Sequence, residues 1–152
     1  MERKVILTEV SLITRKVKIM LDPGAKMPVR AHELDAGIDI FARETKWIPP
    51  KGSAIFDTGV HIEIPPHYAG FLKSKSGLNV KHGITSEGVI DAGYTGSICV
   101  KLYNNRFLPY RVKAGDKISQ LVILPVLLFD TLEVTSMQDT ERGENGFGST
   151  GR

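Results

Sequence analysis

Ser97-Ile98-Cys99-Val100-Lys101-Leu102-Tyr103 sets isoleucine, valine and leucine at alternate positions, with smaller or polar residues between them. A period of two sends alternate side chains to opposite faces of an extended chain, the pattern of a half-buried β-strand. The same bias recurs outward from this stretch. VKIM at 17–20, GIDIFA at 37–42, VHIEI at 60–64 and KISQLVIL at 117–124 all lean towards it. Turn formers separate the runs: Asp22-Pro23-Gly24, Pro49-Pro50-Lys51-Gly52, Pro65-Pro66 and Ala114-Gly115-Asp116. Short alternating runs between Gly and Pro turns predict an all-β fold, an antiparallel jelly roll or distorted barrel. One stretch differs. Ser76-Gly77-Leu78-Asn79-Val80-Lys81-His82 predicts a single short helix, capped by Ser74 or Ser76 and ended by Gly83.

The chain has 152 residues and 16.7 kDa, the size of one domain. Size scaling gives roughly 24,000 Å² unfolded and roughly 7,600 Å² folded, so about 69% of the surface can be buried. Hydrophobic content of 41% and charged content of 24% exclude disordered and fibrous classes. The single cysteine, Cys99, excludes an internal disulfide and most zinc frameworks. Within its strand pattern it reads as a buried, inert thiol. Net charge is +3, and the five basic against two acidic residues of positions 1–20 supply all of it. Aromatic residues make up 7% and are scattered, so no basic stripe with stacking platforms points to nucleic acid. The longest apolar run, residues 121–129, contains Pro125 and is too short to span a bilayer. One thiol and no export pattern lead us to expect a cytoplasmic protein.

Residues 139–152 change character, with four glycines and one large apolar residue, Phe147. The expected organisation is a β domain over 1–138 and a flexible glycine-rich arm over 139–152. Gly143 and Gly148 have the spacing of a phosphate loop, but Ser149 stands where that loop needs lysine and no helix follows. A P-loop enzyme is therefore excluded. The arm still holds phosphate-wrapping groups in Gly148, Ser149 and Thr150, a forked cation in Arg142 and a base-stacking ring in Phe147. The alternative is a frayed tail.

Gly88-Val89-Ile90-Asp91-Ala92-Gly93-Tyr94-Thr95-Gly96 reads as strand, tight turn, strand. Asp91 either satisfies turn amides or, held on a rigid hairpin, deprotonates a water. Tyr94 either covers an edge or offers its face to a sugar. Lys75, Ser76 and Gly77 form either a basic surface turn or a phosphate grip. Asp35 and Asp39 are turn carboxylates, or Asp39 is a water-mediated partner of hydrated Mg²⁺. His32, His61, His67 and His82 lack metal-ligand spacing and belong to surface or core. No Ser-His-Asp or Cys-His nucleophile set is present.

Five blocks in order resemble the homotrimeric dUTPase family. They are Ala36-Gly37-Ile38-Asp39, Lys75-Ser76-Gly77-Leu78, the run from Gly88 through Gly96, Ala114-Gly115-Asp116-Lys117-Ile118-Ser119-Gln120-Leu121, and the arm from Arg142 through Gly151. Thr58-Gly59-Val60 before Ile64-Pro65 is also similar. The resemblance covers roughly residues 17–151. It implies a jelly roll, a homotrimer with shared active sites, and Mg²⁺-dependent conversion of dUTP to dUMP and pyrophosphate. That reaction limits uracil incorporation into DNA and supplies dUMP. Asp91 would activate the water that attacks the α-phosphorus, and Tyr94 would exclude a 2′-hydroxyl. The backbone of Gly88, Val89 and Ile90 would read uracil. Lys75, Ser76, Gly77 and Gln120 would contact phosphates, and Asp39 the metal's water shell. Arg142, Phe147, Gly148, Ser149 and Thr150 would close over the nucleotide. The chain departs from the family pattern at Lys75, where arginine is usual, and at Thr85, where some relatives carry an amide. Alternatives are a dCTP deaminase-like enzyme using Glu87 and a trimeric regulatory binding module. A regulatory protein partner beside catalysis is left open.

Overall fold

The computed structural model describes residues 16–144. In chain order the elements are β1 (Lys18–Leu21), β2 (Ile38–Phe41), β3 (Lys46–Ile48), β4 (Ser53–Asp57), β5 (Val60–Glu63), β6 (Tyr68–Lys73), α1 (Ser76–His82), β7 (Ile84–Ile90), β8 (Cys99–Asn104), β9 (Tyr110–Val112) and β10 (Lys117–Pro125). A six-stranded sheet runs β2-β10-β6-β7-β8-β4, and two-stranded ribbons β1-β5 and β3-β9 complete the structure. Every strand pair is antiparallel. The all-β expectation and the single short helix are met. No helix among the described residues is long and apolar enough to cross a membrane.

β7 is the corner of the large sheet. Its residues Ile90, Val89, Gly88 and Glu87 pair with β6, whereas Ser86, Thr85 and Ile84 pair with β8. The change of partner curls the sheet into a half-barrel. Buried serines make hydrogen bonds across the bend. Ser86 N–H donates to Ser74 Oγ (2.9 Å), the Ser86 and Ser119 hydroxyls meet at 2.9 Å, and Ser119 Oγ donates to the Lys73 carbonyl (3.0 Å). Ser74 is therefore not a helix cap. The N-cap of α1 is Lys75, extended and without a side-chain cap bond, and Gly83 ends the helix in the left-handed region. Gly83 at that end agrees with the expectation.

Alternation decides which side chains enter the core. On β8, Val100, Leu102 and Asn104 are buried while Cys99, Lys101 and Tyr103 face outward. Cys99 is thus exposed, which corrects the buried reading. The strand continues its pattern one step too far for an apolar residue, and Asn104 is only 2% exposed. Its amide nitrogen serves the Leu108 (2.8 Å), Pro49 (3.2 Å) and Ile48 (3.3 Å) carbonyls, and its oxygen accepts Arg106 N–H (3.0 Å). A polar group buried without partners is costly, so this asparagine is tolerated because it ties two loops together. Ile40, Ile48, Phe56, Ile84, Ile98 and Leu121 fill the interior around it. Asn104→Ala should lower stability by about 1–3 kcal/mol, since each orphaned carbonyl loses its donor. Denaturant unfolding of the two proteins side by side checks this, and equal midpoints would refute it.

Candidate functional site

Two clusters gather the residues singled out from sequence. The first is a cradle on β2, β10 and the β6–α1 connection. Asp39, Gln120 and Lys73 stand in one row across three strands, and Glu87 extends the row onto β7. Asp39 is almost fully buried. Lys75 Nζ donates to its Oδ1, and Lys117 Nζ lies 2.8 Å from its Oδ2. Both carboxylate oxygens therefore face an ammonium group. Burial opposes the carboxylate charge, but Lys117 and Lys75 outweigh it and hold Asp39 below the ordinary carboxylate range. Gln120 Nε2 donates to the Ser74 carbonyl (3.1 Å). A Cβ on residue 37 would press on the Gln120 side chain and displace its amide, so Gly37 leaves room for Gln120 beside the start of β2. Lys75, Ser76, Gln120 and Asp39 line one open pocket of about 390 Å³. Gly77 faces open space nearby.

The second cluster is the β7–β8 turn. Tyr94 N–H donates to the Asp91 carbonyl (3.2 Å), closing a tight turn with Gly93 in the left-handed region. Asp91 is exposed at its start. The Tyr94 hydroxyl donates to the Ser97 carbonyl (3.0 Å). Its ring lies directly over Gly96, where a Cβ would be 2.4 Å from the hydroxyl oxygen. Tyr94 nevertheless remains about half exposed, which leaves ring surface open to a ligand. Gly88, Val89, Ile90, Asp91 and Tyr94 line a pocket of about 220 Å³.

The expected residues of the arm fall outside these clusters. Arg142 lies in the exposed stretch after β10. Phe147, Gly148, Ser149 and Thr150 lie outside the described residues. Asp35 lines the same pocket as Asp39, but its carboxylate is engaged by His32, accepting the His32 N–H (3.0 Å) and meeting the His32 ring at 3.0 Å. Glu87 is mostly exposed and pairs with Lys73 (3.3 Å).

Sequence reading missed Lys117 as the second partner of Asp39, and it missed a polar network behind the turn. Its one available signal for Lys117 was the need to neutralise an aspartate in a strand that buries its neighbours. In the network, His61 Nδ1 is 2.8 Å from the Thr95 carbonyl and Nε2 is 3.2 Å from Asp22 Oδ1. Arg43 bridges Asp22 (3.2 Å) and Asp57 (3.1 Å), and Ser97 Oγ donates to Asp57. The Ser97 hydroxyl, the Gly59 amide and Arg43 keep Asp57 ionised below the ordinary range.

Both neighbours of the His61 ring are pure acceptors, so both contacts are satisfied only in the imidazolium form. The Thr95 carbonyl, Asp22 and Asp57 raise its pKa above 6.5. Arg43 is the cation facing the same two aspartates, and Lys18 and Glu63 flank the ring as an ion pair on the β1-β5 ribbon. A raised folded pKa means the stabilisation is complete below about 6.5 and is lost as pH rises through the folded value. The stability gap between wild type and His61→Gln should therefore shrink from about pH 6 to about pH 9, read from denaturant midpoints. A constant gap would contradict this.

The fold and the two clusters define a curled β protein with a cationic cradle and a carboxylate-bearing hairpin. The dUTPase family profile matches residues 24–151. The deoxyuridine 5′-triphosphate nucleotidohydrolase of Clostridium tetani is 40% identical over 142 residues, covering 91% of this chain and 97% of its own. That of Alkaliphilus metalliredigens is 45% identical over 130 residues, covering 84% and 90%. Among solved structures, Staphylococcus bacteriophage 80alpha dUTPase with dUpNHpp superposes at a TM-score of 0.85 with 32% identity, over 91% of this chain and all of that one. A dUTPase variant of Staphylococcus aureus phage phi11, which coordinates a structural Mg(II) ion, superposes at 0.75 with 30% identity, over 82% of this chain and all of that one. The chain belongs to the dUTPase family.

Proposed function

We propose that the chain hydrolyses dUTP to dUMP and pyrophosphate, with Asp91 as general base. The observation that carries this is the exposed Asp91 carboxylate at the β7–β8 turn, beside a pocket shared with Tyr94. Asp91 takes a proton from water as its oxygen attacks the α-phosphorus, and the bond to the bridging oxygen breaks to release pyrophosphate. Positioning and charge do the catalytic work, which agrees with the lack of a covalent nucleophile set. Tyr94, backed by Gly96, packs on the deoxyribose and leaves no room for a 2′-hydroxyl. Main chain at Gly88, Val89 and Ile90 reads the uracil edge. Ser76, Gly77 and Gln120 bind phosphates, with Lys75 adding charge.

Magnesium fits as a cation that arrives on the nucleotide. A hard divalent ion wants six oxygens, and the triphosphate with water supplies them. Asp39 is held by two lysines, which suits contact through water, and no group of three His, Cys, Asp or Glu side chains among the described residues forms a resident site. When bound, the ion neutralises charge on the departing pyrophosphate.

The site is completed by other copies of the chain. Asp39 and Asp91 are separated by three strand spacings and four residues along β7. At ~4.8 Å per strand and ~3.3 Å per residue they stand on the order of 15–20 Å apart. One nucleotide cannot have its α-phosphorus at the hairpin and its outer phosphates in the same chain's cradle. Leu127, Leu128, Phe129, Leu132 and Met137 are all more than 70% exposed, a patch that water does not favour and a neighbouring copy covers. A homotrimer, as the resemblance implies, meets both requirements. We place the domain boundary at 138, with residues 139–152 as the arm that closes over the nucleotide and excludes water.

Product analysis with dUTP, dCTP, dTTP and UTP plus Mg²⁺ tests the reading. Release of dUMP and pyrophosphate from dUTP alone is expected, and deamination of dCTP would overturn it. Asp91→Asn should keep nucleotide binding and lose roughly 10²-fold or more in turnover. Unchanged pyrophosphate release would remove Asp91 from the mechanism. A chain lacking residues 140–152 should remain a folded trimer with poor catalysis. Unfolding on truncation would make the arm structural.

A further inference from the structure

The loop that carries Asp91 and Tyr94 runs from residue 91 to residue 98, and it has two anchors. Its foot is fastened to the β4–β5 turn, the Thr58-Gly59-Val60 segment. Thr58 Oγ1 donates to the Ile98 carbonyl (2.7 Å), Ile98 N–H donates to the Val60 carbonyl (2.8 Å), and Ser97 Oγ donates to Asp57. One contact reaches further towards the tip. His61, at the second position of β5, meets the Thr95 carbonyl with Nδ1 at 2.8 Å. Thr95 follows Tyr94 directly. The other ring nitrogen faces Asp22 at 3.2 Å, and Arg43 joins Asp22 to Asp57. The chain of contacts therefore leaves the loop at Thr95, passes through His61, Asp22, Arg43 and Asp57, and returns to the loop at Ser97.

We propose that His61 is a positioning residue for dUTP hydrolysis, holding the Tyr94–Thr95 end of the loop through the Thr95 carbonyl so that Asp91 and Tyr94 meet the nucleotide in fixed geometry. The proposal rests on the dUTP-hydrolase reading. The imidazole does not line the pocket of Asp91 and Tyr94, so it acts through the loop. A type II-like turn with a glycine at its third position has little stiffness of its own, and within the loop Tyr94 is held by its N–H bond to the Asp91 carbonyl (3.2 Å) and its hydroxyl bond to the Ser97 carbonyl (3.0 Å), both of which move with the loop. An outside tether next to Tyr94 removes the rotation that would swing ring and carboxylate together. Freedom at that point dilutes the productive geometry, and a shift of about 1 Å at a reacting group is enough to lower rate.

The two ring nitrogens can be separated by substitution. In His61→Asn the side-chain NH₂ stands where Nδ1 stood and still reaches Thr95, but falls short of Asp22. In His61→Gln the NH₂ stands near the place of Nε2 and reaches Asp22, leaving the Thr95 carbonyl without its donor. We expect His61→Gln to lower kcat/KM for dUTP about three- to tenfold, the net worth of one hydrogen bond, with His61→Asn within about twofold of wild type. Hydrogen exchange in the 92–98 peptide of the full-length assembly should quicken in the glutamine variant and stay unchanged in the asparagine variant. Equal losses in both variants, wild-type behaviour of the glutamine variant, or loss of the folded assembly in either would overturn the assignment. Wild type and Asp91→Asn are assayed alongside. If wild type fails to turn over dUTP, the functional reading falls, while the exchange pattern still decides whether His61 holds the loop.

Discussion

The curvature of the large sheet rests on one strand serving two neighbours in turn. β7 pairs with β6 along one half and with β8 along the other. A strand that changes partner leaves backbone groups unmatched at the bend, and these are costly inside a core. Ser74, Ser86 and Ser119 meet that demand with short side chains that fit where larger polar groups would not. Because the bend is satisfied, the end of β7 can run clear of the cradle and present Asp91 at an exposed turn. Both halves of the site depend on this corner, one for its row of residues across β2, β10 and β6, the other for its hairpin.

Charge is handled differently in the two places. The cradle buries one carboxylate between two ammonium groups, a geometry in which desolvation opposes the ion and pairing restores it. The hairpin side spreads its charges over a longer, partly exposed circuit of Asp22, Arg43, Asp57 and His61. Exposed pairs of this kind add little to stability on their own. Their value here is direction: His61 is aimed at the Thr95 carbonyl and Asp57 at the Ser97 hydroxyl and the Gly59 amide, while Asp22 and Arg43 link the two.

The strand pattern was legible because alternation is a local signal. β8 follows it closely, β10 breaks it at a bulge where Ile118 and Ser119 are both buried, and the helix at Ser76–His82 was readable from its glycine stop. Strands β3, β4, β6 and β9 were not predicted: β3, β4 and β9 are three- to five-residue runs with too few periods to separate from loops, and β6 (YAGFLK) does not alternate. Cys99 was misjudged by one step of phase, which in a strand inverts inside and outside. The cradle residues were found by their order along the chain. Lys117 and His61 were not, because their partners lie far away in sequence: 78 positions separate Lys117 from Asp39, and 34 separate His61 from Thr95. Only the fold brings such pairs together.

A site divided among copies imposes a requirement that a site within one chain does not. When cradle and hairpin share a sheet, small motions carry both together and their spacing is preserved. When they come from different chains, each must be stiff relative to its own body, because no covalent path keeps them in register. The cradle achieves this by sitting on adjacent paired strands. A turn projecting beyond the last pair of β7, Ile90 with Gly70, has no such support. Fastening it from behind, through the β4–β5 turn and His61, supplies stiffness without occupying the pocket that Asp91 and Tyr94 line. It follows that the polar network belongs on the side of the loop away from Asp91, and that is the side on which Asp22, Arg43, Asp57 and His61 are found, since none of them lines the Asp91 pocket.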